Sequence, residues 1–226
     1  ANYAKKLVIW EENRNKTKIK RKRSPRKPTL QTDPRLDQNY PGNLFNGMLY
    51  PLAPFSIKGV MWYQGEQNSK NLSSAFQYRF QLTNMIKSWQ KLWGQNFPFY
   101  SVQLPNFKTP QLEPVEHNNI WPVIRESYLY ATQAAPNSYT VTIIDLGEAK
   151  DIHPKNKQGV GARLASTILN HSYGRETPTT PFVHSFEMVD NKFIIKFKFS
   201  GTGLVAKNDK LNGFAIAGED QKFVWA

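Results

Sequence analysis

Apolar and polar positions along the chain fall into blocks that switch between strand and helix periods. An apolar run over residues 57–63 stops abruptly at Gln64-Gly65-Glu66-Gln67-Asn68. A buried strand delivering polar side chains at its C-terminal end has this profile, and in open α/β sheets ligands sit outside such ends. Downstream, Phe76, Phe80, Met85, Ile86 and Trp89 recur at helix-compatible spacings. They predict a helix capped by Ser73 or Ser74, running to about Trp93 and ended by Gly94. Residues 99–104 read as the next strand, 120–135 as a helix after Pro122, and 139–146 as a strand. Residues 157–173 read as a helix with Val160, Leu164, Ile168 and Leu169 inward, stopped by Gly174. This alternation predicts a parallel sheet with helices on its faces. The pattern changes after Thr177. Segments 186–189 and 192–199 alternate about a turn at Asp190-Asn191, and 214–217 and 223–225 follow as short strands.

The N-terminal part is of another kind. Residues 1–12 predict a short helix with Leu7, Val8 and Trp10, and 13–43 carry four prolines and many charges, which predicts an extended linker. Residues 44–52 read as ordered, with a turn at Asn46-Gly47. Charge follows this division. The chain of 226 residues carries a net +13, and residues 1–40 hold twelve Lys/Arg against four Asp/Glu. Such a run can serve a polyanion, but it has no interleaved aromatics for base stacking and the composition of a solvated linker. No nucleic-acid partner is therefore expected.

Composition narrows the class further. Hydrophobic residues make up 39% and aromatics 13%, enough for a sizeable core. The absence of cysteine rules out disulfides, thiolate metal sites and a cysteine nucleophile. No run of about 18 apolar residues occurs, so no membrane-spanning helix is expected. The start, Ala1-Asn2-Tyr3, has neither an initiator Met nor a signal-peptide core, and reads as a processed or truncated product.

His153 is the leading candidate base. It follows Asp151 in a loop between a predicted strand and helix, where a carboxylate can orient an imidazole that removes a hydroxyl proton. An ordinary exposed loop histidine would look the same. His117, His171 and His184 have no comparable setting, and His171 suits a helix C-terminus. Gln64 is a candidate oxyanion donor through its side-chain amide, with Glu66 and Asn68 ordering its loop. Arg125 can take a substrate carboxylate in bidentate fashion, or pair with Glu66 or Glu126, the structural alternative being favoured. Trp62, Tyr63, Trp89 and Trp93 can stack on sugars but fit a core better. No metal-ligand spacing, P-loop or GxGxxG is present, so no metal or cofactor is expected. Ser69, Ser73 and Ser74 lack nucleophile-elbow surroundings.

Taken together, LFNGMLYPLAPFSIKGVMWYQGEQN, PFYSVQL, W-x-x-x-RES and DLGEAKDIHPKNKQGVGARLA with its closing YG resemble the sialate O-acetylesterase family, in the family's order, over residues 41–174 and weakly to 225. The resemblance implies an SGNH-hydrolase fold, a flavodoxin-like parallel sheet with helices on both faces, and serine esterases that remove acetyl groups from sugars, sialic acids above all. With the charge and pattern read above, the chain divides into a basic linker-like segment at 1–40, a partial hydrolase domain at 41–176 and a β-rich segment at 177–226; the resemblance implies that the hydrolase domain is incomplete at its N-terminus and that the β-rich segment is incomplete. By resemblance His153 is the general base, Asp151 the orienting acid and Gln64 the oxyanion donor, with Glu66, Asn68, Asn46 and Arg125 in supporting blocks. The commoner spacing, Asp-x-x-His, falls on Lys150, which leaves Asp145 as fallback. Gln90 stands where members usually have Arg, and Gln67 where Ser or Ala is usual. The family's Gly-x-Ser-Asn block, with the nucleophile, does not occur, nor does the oxyanion-hole Gly block that follows it. The serine is expected upstream of Ala1 or on a second polypeptide, and this chain alone is expected to be inactive. The expected substrate is an O-acetylated sugar and the expected location periplasmic or secreted. A non-catalytic acidic-sugar-binding remnant and an acetyl-xylan-type esterase are the alternatives.

Overall fold

The structure, a computed structural model, describes residues 2–19, 24–29, 33–206 and 211–226. It divides into two units, Ala1–Ser56 and Ile57–Ala226.

In the first unit helix α1 spans Asn2–Ile19, longer than the predicted 1–12. No Pro or Gly interrupts residues 2–19, and Lys and Arg are good helix formers, so the charged stretch continues the helix. Residues 24–27 are tied back rather than free. The Trp10 indole donates to the Pro25 carbonyl at 2.8 Å, and Arg14 and Lys27 lie over its ring. Residues 44–52 are ordered as expected, but as helical turns, Phe45–Leu49 and Tyr50–Leu52, instead of an isolated Asn46-Gly47 turn.

The second unit is built on a parallel sheet in the order β1-β2-β3, with β1 at Val60–Trp62, β2 at Phe99–Val102 and β3 at Ser138–Val141. Val60 pairs with Phe99, and Phe99 with Ser138. The crossovers are α2 (Leu72–Trp93) and α3 (Ile120–Ala134), and α4 (Lys157–Tyr173) follows β3. Central β2 is buried throughout. Its residues alternate between two cores, as the strand period requires. Phe99 packs with Ala75, Tyr78, Leu82 and Ile86 of α2 and Ile124, Tyr128 and Ala131 of α3. Val102 joins Val141, Ile143 and Val160, with Leu164 of α4 against them. Burying a side chain such as Leu82 or Ile86 stabilises by about 1.5–3 kcal/mol. The α/β architecture with helices on both faces is the one expected from the sequence.

The boundaries of α2, α3 and α4 were legible within a residue or two, but the N-cap of α2 was not. Asn71, rather than Ser73 or Ser74, caps α2 by accepting the Ser74 amide at 2.8 Å. Asn119 caps α3, so Pro122 lies in its first turn, where a missing N–H costs no intrahelical bond. Gly94 and Gly174 end α2 and α4 in the left-handed conformation, as expected. The strands are shorter than predicted because backbone groups go elsewhere. Thr142 donates to the Thr180 hydroxyl, and Ile144–Leu146 coils into a 3-10 turn. Phe76 and Phe80 do not enter the core. They stay half exposed: Arg79 lies over the Phe76 and Tyr130 rings, and Phe80 packs against both of those rings.

The C-terminal part is β-rich as expected. β4 (Phe182–Val189) and β5 (Lys192–Lys198) form a hairpin, and β6 (Ala215–Ile216) pairs with β7 (Val224–Trp225). The hairpin turn has Asp190 and Asn191 at φ 48 and 58, the pair of left-handed residues that a two-residue hairpin favours.

Candidate active site

Because the three strands are parallel, their C-terminal ends lie along one edge of the sheet. Gln64 leaves β1 there, Gln103 leaves β2, and residues 142–156 leave β3. The loops after β1 and β3 also meet through side chains, since Lys157 at the start of α4 lies over the ring of Tyr63, 5.2 Å from its centre.

Gln64 is held from three sides. Its main-chain carbonyl accepts the Tyr128 hydroxyl from α3 and the Tyr78 hydroxyl from α2, the latter at 3.0 Å. Its side-chain oxygen lies 3.1 Å from the same Tyr78 hydroxyl, and its Nε2 donates to Asn68 Oδ1 at 3.1 Å. An amide nitrogen carries two N–H groups, so one remains for a ligand oxygen. Burial raises the Tyr78 phenol above its ordinary pKa and the Tyr128 phenol well above it, so both remain donors. Asn68 in turn donates to Gln81 Oε1 at 3.1 Å. Glu66 accepts the Gly65 amide at 3.0 Å and stays in its own turn, Glu66–Ser69. Gly65 is needed for space: a Cβ there would collide with the Tyr128 hydroxyl.

The loop after β3 carries His153. The Asp151 carboxylate accepts the His153 main-chain N–H at 2.9 Å, and the imidazole Nδ1 lies 3.8 Å from the same oxygen. Asp151 thus faces the imidazole at ion-pair range, beyond hydrogen-bond length. The His153 side chain is 76% exposed, which leaves the ring open to an incoming group. Asp145, the fallback acid, is engaged elsewhere in a two-pronged pair with Arg163 at 2.6 and 2.7 Å. That pair raises the Arg163 pKa and braces the loop. The loop is anchored again where Gly147 donates to Asn106 Oδ1 at 2.8 Å and Lys108 N–H donates to the Ala149 carbonyl.

Arg125 corrects the sequence reading in one respect. The favoured pairing with Glu66 or Glu126 does not form. Glu126 takes Arg79 at 2.8 Å and Glu66 caps its own turn, so Arg125 has no ion-pair partner among the described residues. It is partly buried, and desolvation lowers its pKa. Trp62, Tyr63, Trp89 and Trp93 pack against the buried core, the arrangement favoured over sugar stacking. Gln90, standing in for the usual Arg, is buried and donates to the Phe97 and Pro136 carbonyls. His171 lies in the last turn of α4, where its ring stacks on Tyr139 with centres 3.9 Å apart, and burial lowers its pKa. No cluster of three or more metal-ligating side chains occurs among the described residues.

Sequence reasoning did not single out Tyr78, Tyr128, Gln103 or Arg163. Gln103 offered a signal, an amide inside an apolar run; it is buried and donates to the Arg125 carbonyl at 2.9 Å. The tyrosines offered none, because at helical spacing they read as ordinary core.

A parallel sheet covered on both faces, with polar loops gathered at its C-terminal strand ends, places the molecule among the open α/β folds, and its likeness to a solved carbohydrate acetylesterase, given below, narrows this to the SGNH-hydrolase class. The profile described as carbohydrate esterase, sialic acid-specific acetylesterase matches residues 42–170, and the chain belongs to that family. Curated relatives include the sialate O-acetylesterases of Homo sapiens and Pongo abelii, each 28% identical over 185 residues, covering 74% of this chain and 34% of the relative. The sialate O-acetylesterase of Mus musculus is 29% identical over 149 residues, 60% of this chain and 27% of the relative. The chain thus spans about a third of the length of these relatives. Among solved structures, a carbohydrate acetylesterase from Xanthomonas citri superposes with a TM-score of 0.67 at 35% identity, over 80% of this chain and 42% of that one.

Proposed function

We propose that this chain is the part of a carbohydrate O-acetylesterase, acting on sialic acid acetyl esters, that carries the base and one side of the oxyanion hole. A serine hydroxyl supplied from outside these 226 residues attacks the acetyl carbonyl. His153 takes its proton, Asp151 stabilises the imidazolium, and the free N–H of Gln64 donates to the oxygen as it becomes negative. Collapse of the tetrahedral intermediate expels the sugar oxygen, which takes the proton from His153. Water then repeats the sequence on the acetyl-enzyme and releases acetate. Glu66 and Asn68 hold the Gln64 loop in this role.

The observation that supports this reading best is the clamped Gln64 amide with one N–H to spare, on the same sheet edge as the open His153 ring. The test is acetate release from O-acetyl sialic acid by the protein together with its nucleophile-bearing part. His153→Ala should lower kcat by about 10⁴. Wild-type rates in that variant would sink the assignment. The 226 residues alone should be inactive, and greater release of acetate from acetyl-xylan would move the substrate to plant polysaccharide. We extend the proposal to an exported setting, periplasmic or secreted, as the family resemblance implies. Among the described residues no helix is long and apolar enough to cross a membrane.

A second reading is favoured by Arg125. A partly buried cation with no ion-pair partner among the described residues suits an acidic sugar held without turnover. Saturable calorimetric binding of sialic acid, with no hydrolysis of its acetyl ester by the complete protein, would favour it.

A further inference from the structure

A cavity of about 360 Å³ lies beside the candidate site, lined by Ser69, Phe107, Lys108, Glu116, Asn119 and Trp121 among others. None of these residues has a role in the reaction described above. Three observations set it apart. First, its wall is continuous with both functional loops. Ser69 closes the turn Glu66–Ser69 that follows Gln64, and its hydroxyl donates to the Glu66 carbonyl at 2.7 Å. On the other side, Phe107 bridges to Glu148 and the Lys108 N–H donates to the Ala149 carbonyl, within the loop that ends at His153. Two other cavities, around His171 and around Ser166, run along β3 under residues 178–182 and take no residue from the Gln64 loop.

Second, the lining has the chemistry of sugar recognition. Glu116 accepts the Asn119 amide at 2.8 Å through Oε2, which leaves Oε1 for a hydroxyl. The Ser69 side chain and the amide of Asn118 add further polar groups, and Phe107 packs on Trp121 with ring centres 5.3 Å apart to form an apolar wall. The Lys108 ammonium forms no ion pair among the described residues and can meet a sugar carboxylate. Third, Lys108 holds left-handed backbone at φ 71, a conformation rare for a lysine. Such conformations persist where the surroundings enforce them, often at binding sites. The volume lies at the small end of the roughly 300–1,000 Å³ typical of small-molecule sites, the end that suits a single sugar ring.

We propose that this cavity is the sugar subsite: it holds the ring of the acidic sugar, Glu116 taking ring hydroxyls and Lys108 the carboxylate, while the acetyl group reaches Gln64 and His153. The inference rests on the esterase reading for its substrate class, but its test does not depend on turnover. The protein is titrated with free sialic acid and followed by amide and indole resonances. Saturable shifts are expected at the Trp121 indole and at the amides of Lys108 and Asn118. Glu116→Ala and Lys108→Gln should each weaken binding about tenfold, with the remaining spectrum of a folded protein. Shifts confined to the His171 or Ser166 cavities, unchanged affinity in both variants, or no saturable binding would overturn the proposal. If the protein binds here yet shows no His153-dependent hydrolysis, the esterase reading fails and the subsite stands. If hydrolysis depends on His153 but KM ignores both variants, the subsite fails alone.

Discussion

Tyr128 of α3 donates its hydroxyl to the main-chain carbonyl of Gln64, joining residues 64 positions apart at the point where β1 turns into the candidate site. The same oxygen takes the Tyr78 hydroxyl from α2. Two helices therefore set the height and direction of the Gln64 amide before any ligand arrives, the preorganisation that the proposed oxyanion role requires.

Removing one of these donors should loosen the strand end without emptying the core. Tyr128→Phe keeps the ring against Tyr78, whose centre lies 5.3 Å away, and deletes only the hydroxyl. A loss of about 1–2 kcal/mol in unfolding free energy is expected. Urea denaturation gives the value, and a midpoint equal to wild type would show that the bond contributes nothing.

Gly65 and Tyr128 should be coupled. Gly65→Ala places a methyl group where the Tyr128 hydroxyl sits, and overpacking there should cost about 1–3 kcal/mol. In the Tyr128→Phe background the space is partly vacated, so the double variant should lose less than the sum of the single losses, by about 0.5 kcal/mol or more. Strict additivity in this cycle would contradict the geometry.

Gln64→Ala should act on the transition state. Loss of an oxyanion-hole donor lowers kcat by about 10²–10³ while ground-state binding changes little. Steady-state kinetics on an acetylated sugar, with the complete protein, separates the two parameters. A rise in KM at constant kcat would reassign Gln64 to substrate binding.

His171 predicts a pH dependence of stability. Burial against Tyr139 and Phe199 lowers its pKa from the ordinary 6.5, so the folded protein resists its protonation. Above pH 6.5 the ring is neutral in both folded and unfolded chains and contributes no difference. Below it the unfolded chain gains the proton first, so stability falls until the pH passes the folded pKa. His171→Phe keeps a ring on Tyr139 and removes the titration. Wild type should lose more stability than the variant between pH 7 and 5 in urea melts, and parallel losses would remove His171 as the cause.

Much of the site's address was legible in the chain. The apolar run ending in Gln64-Gly65-Glu66 and the polar loop around Asp151 and His153 both lie where strands end, and a parallel sheet sends such ends to one edge. Arg125 was misread as pairing with Glu66 or Glu126, whereas Glu66 accepts the amide of its own turn, and Glu126, at an adjacent helical position that points apart, turns to Arg79 on the neighbouring helix. The N-cap of α2 was misread for a similar reason. Ser73, Ser74 and Asn71 are all competent, and only backbone geometry selects the residue whose oxygen meets the exposed amide.

The sequence by itself determined the order of strands and helices, the glycines that end α2 and α4, and the two polar loops, because periodicity and backbone preference are local properties. Tertiary structure alone decided what those loops can do. It brought Tyr78 and Tyr128 from separate helices onto one carbonyl, assigned Asp145 to Arg163 and left Asp151 facing His153. It also formed a polar cavity, open to solvent, between segments far apart in the chain. Contacts of this kind depend on how helices pack across a sheet, and no spacing along the chain encodes which partner a buried polar group will find.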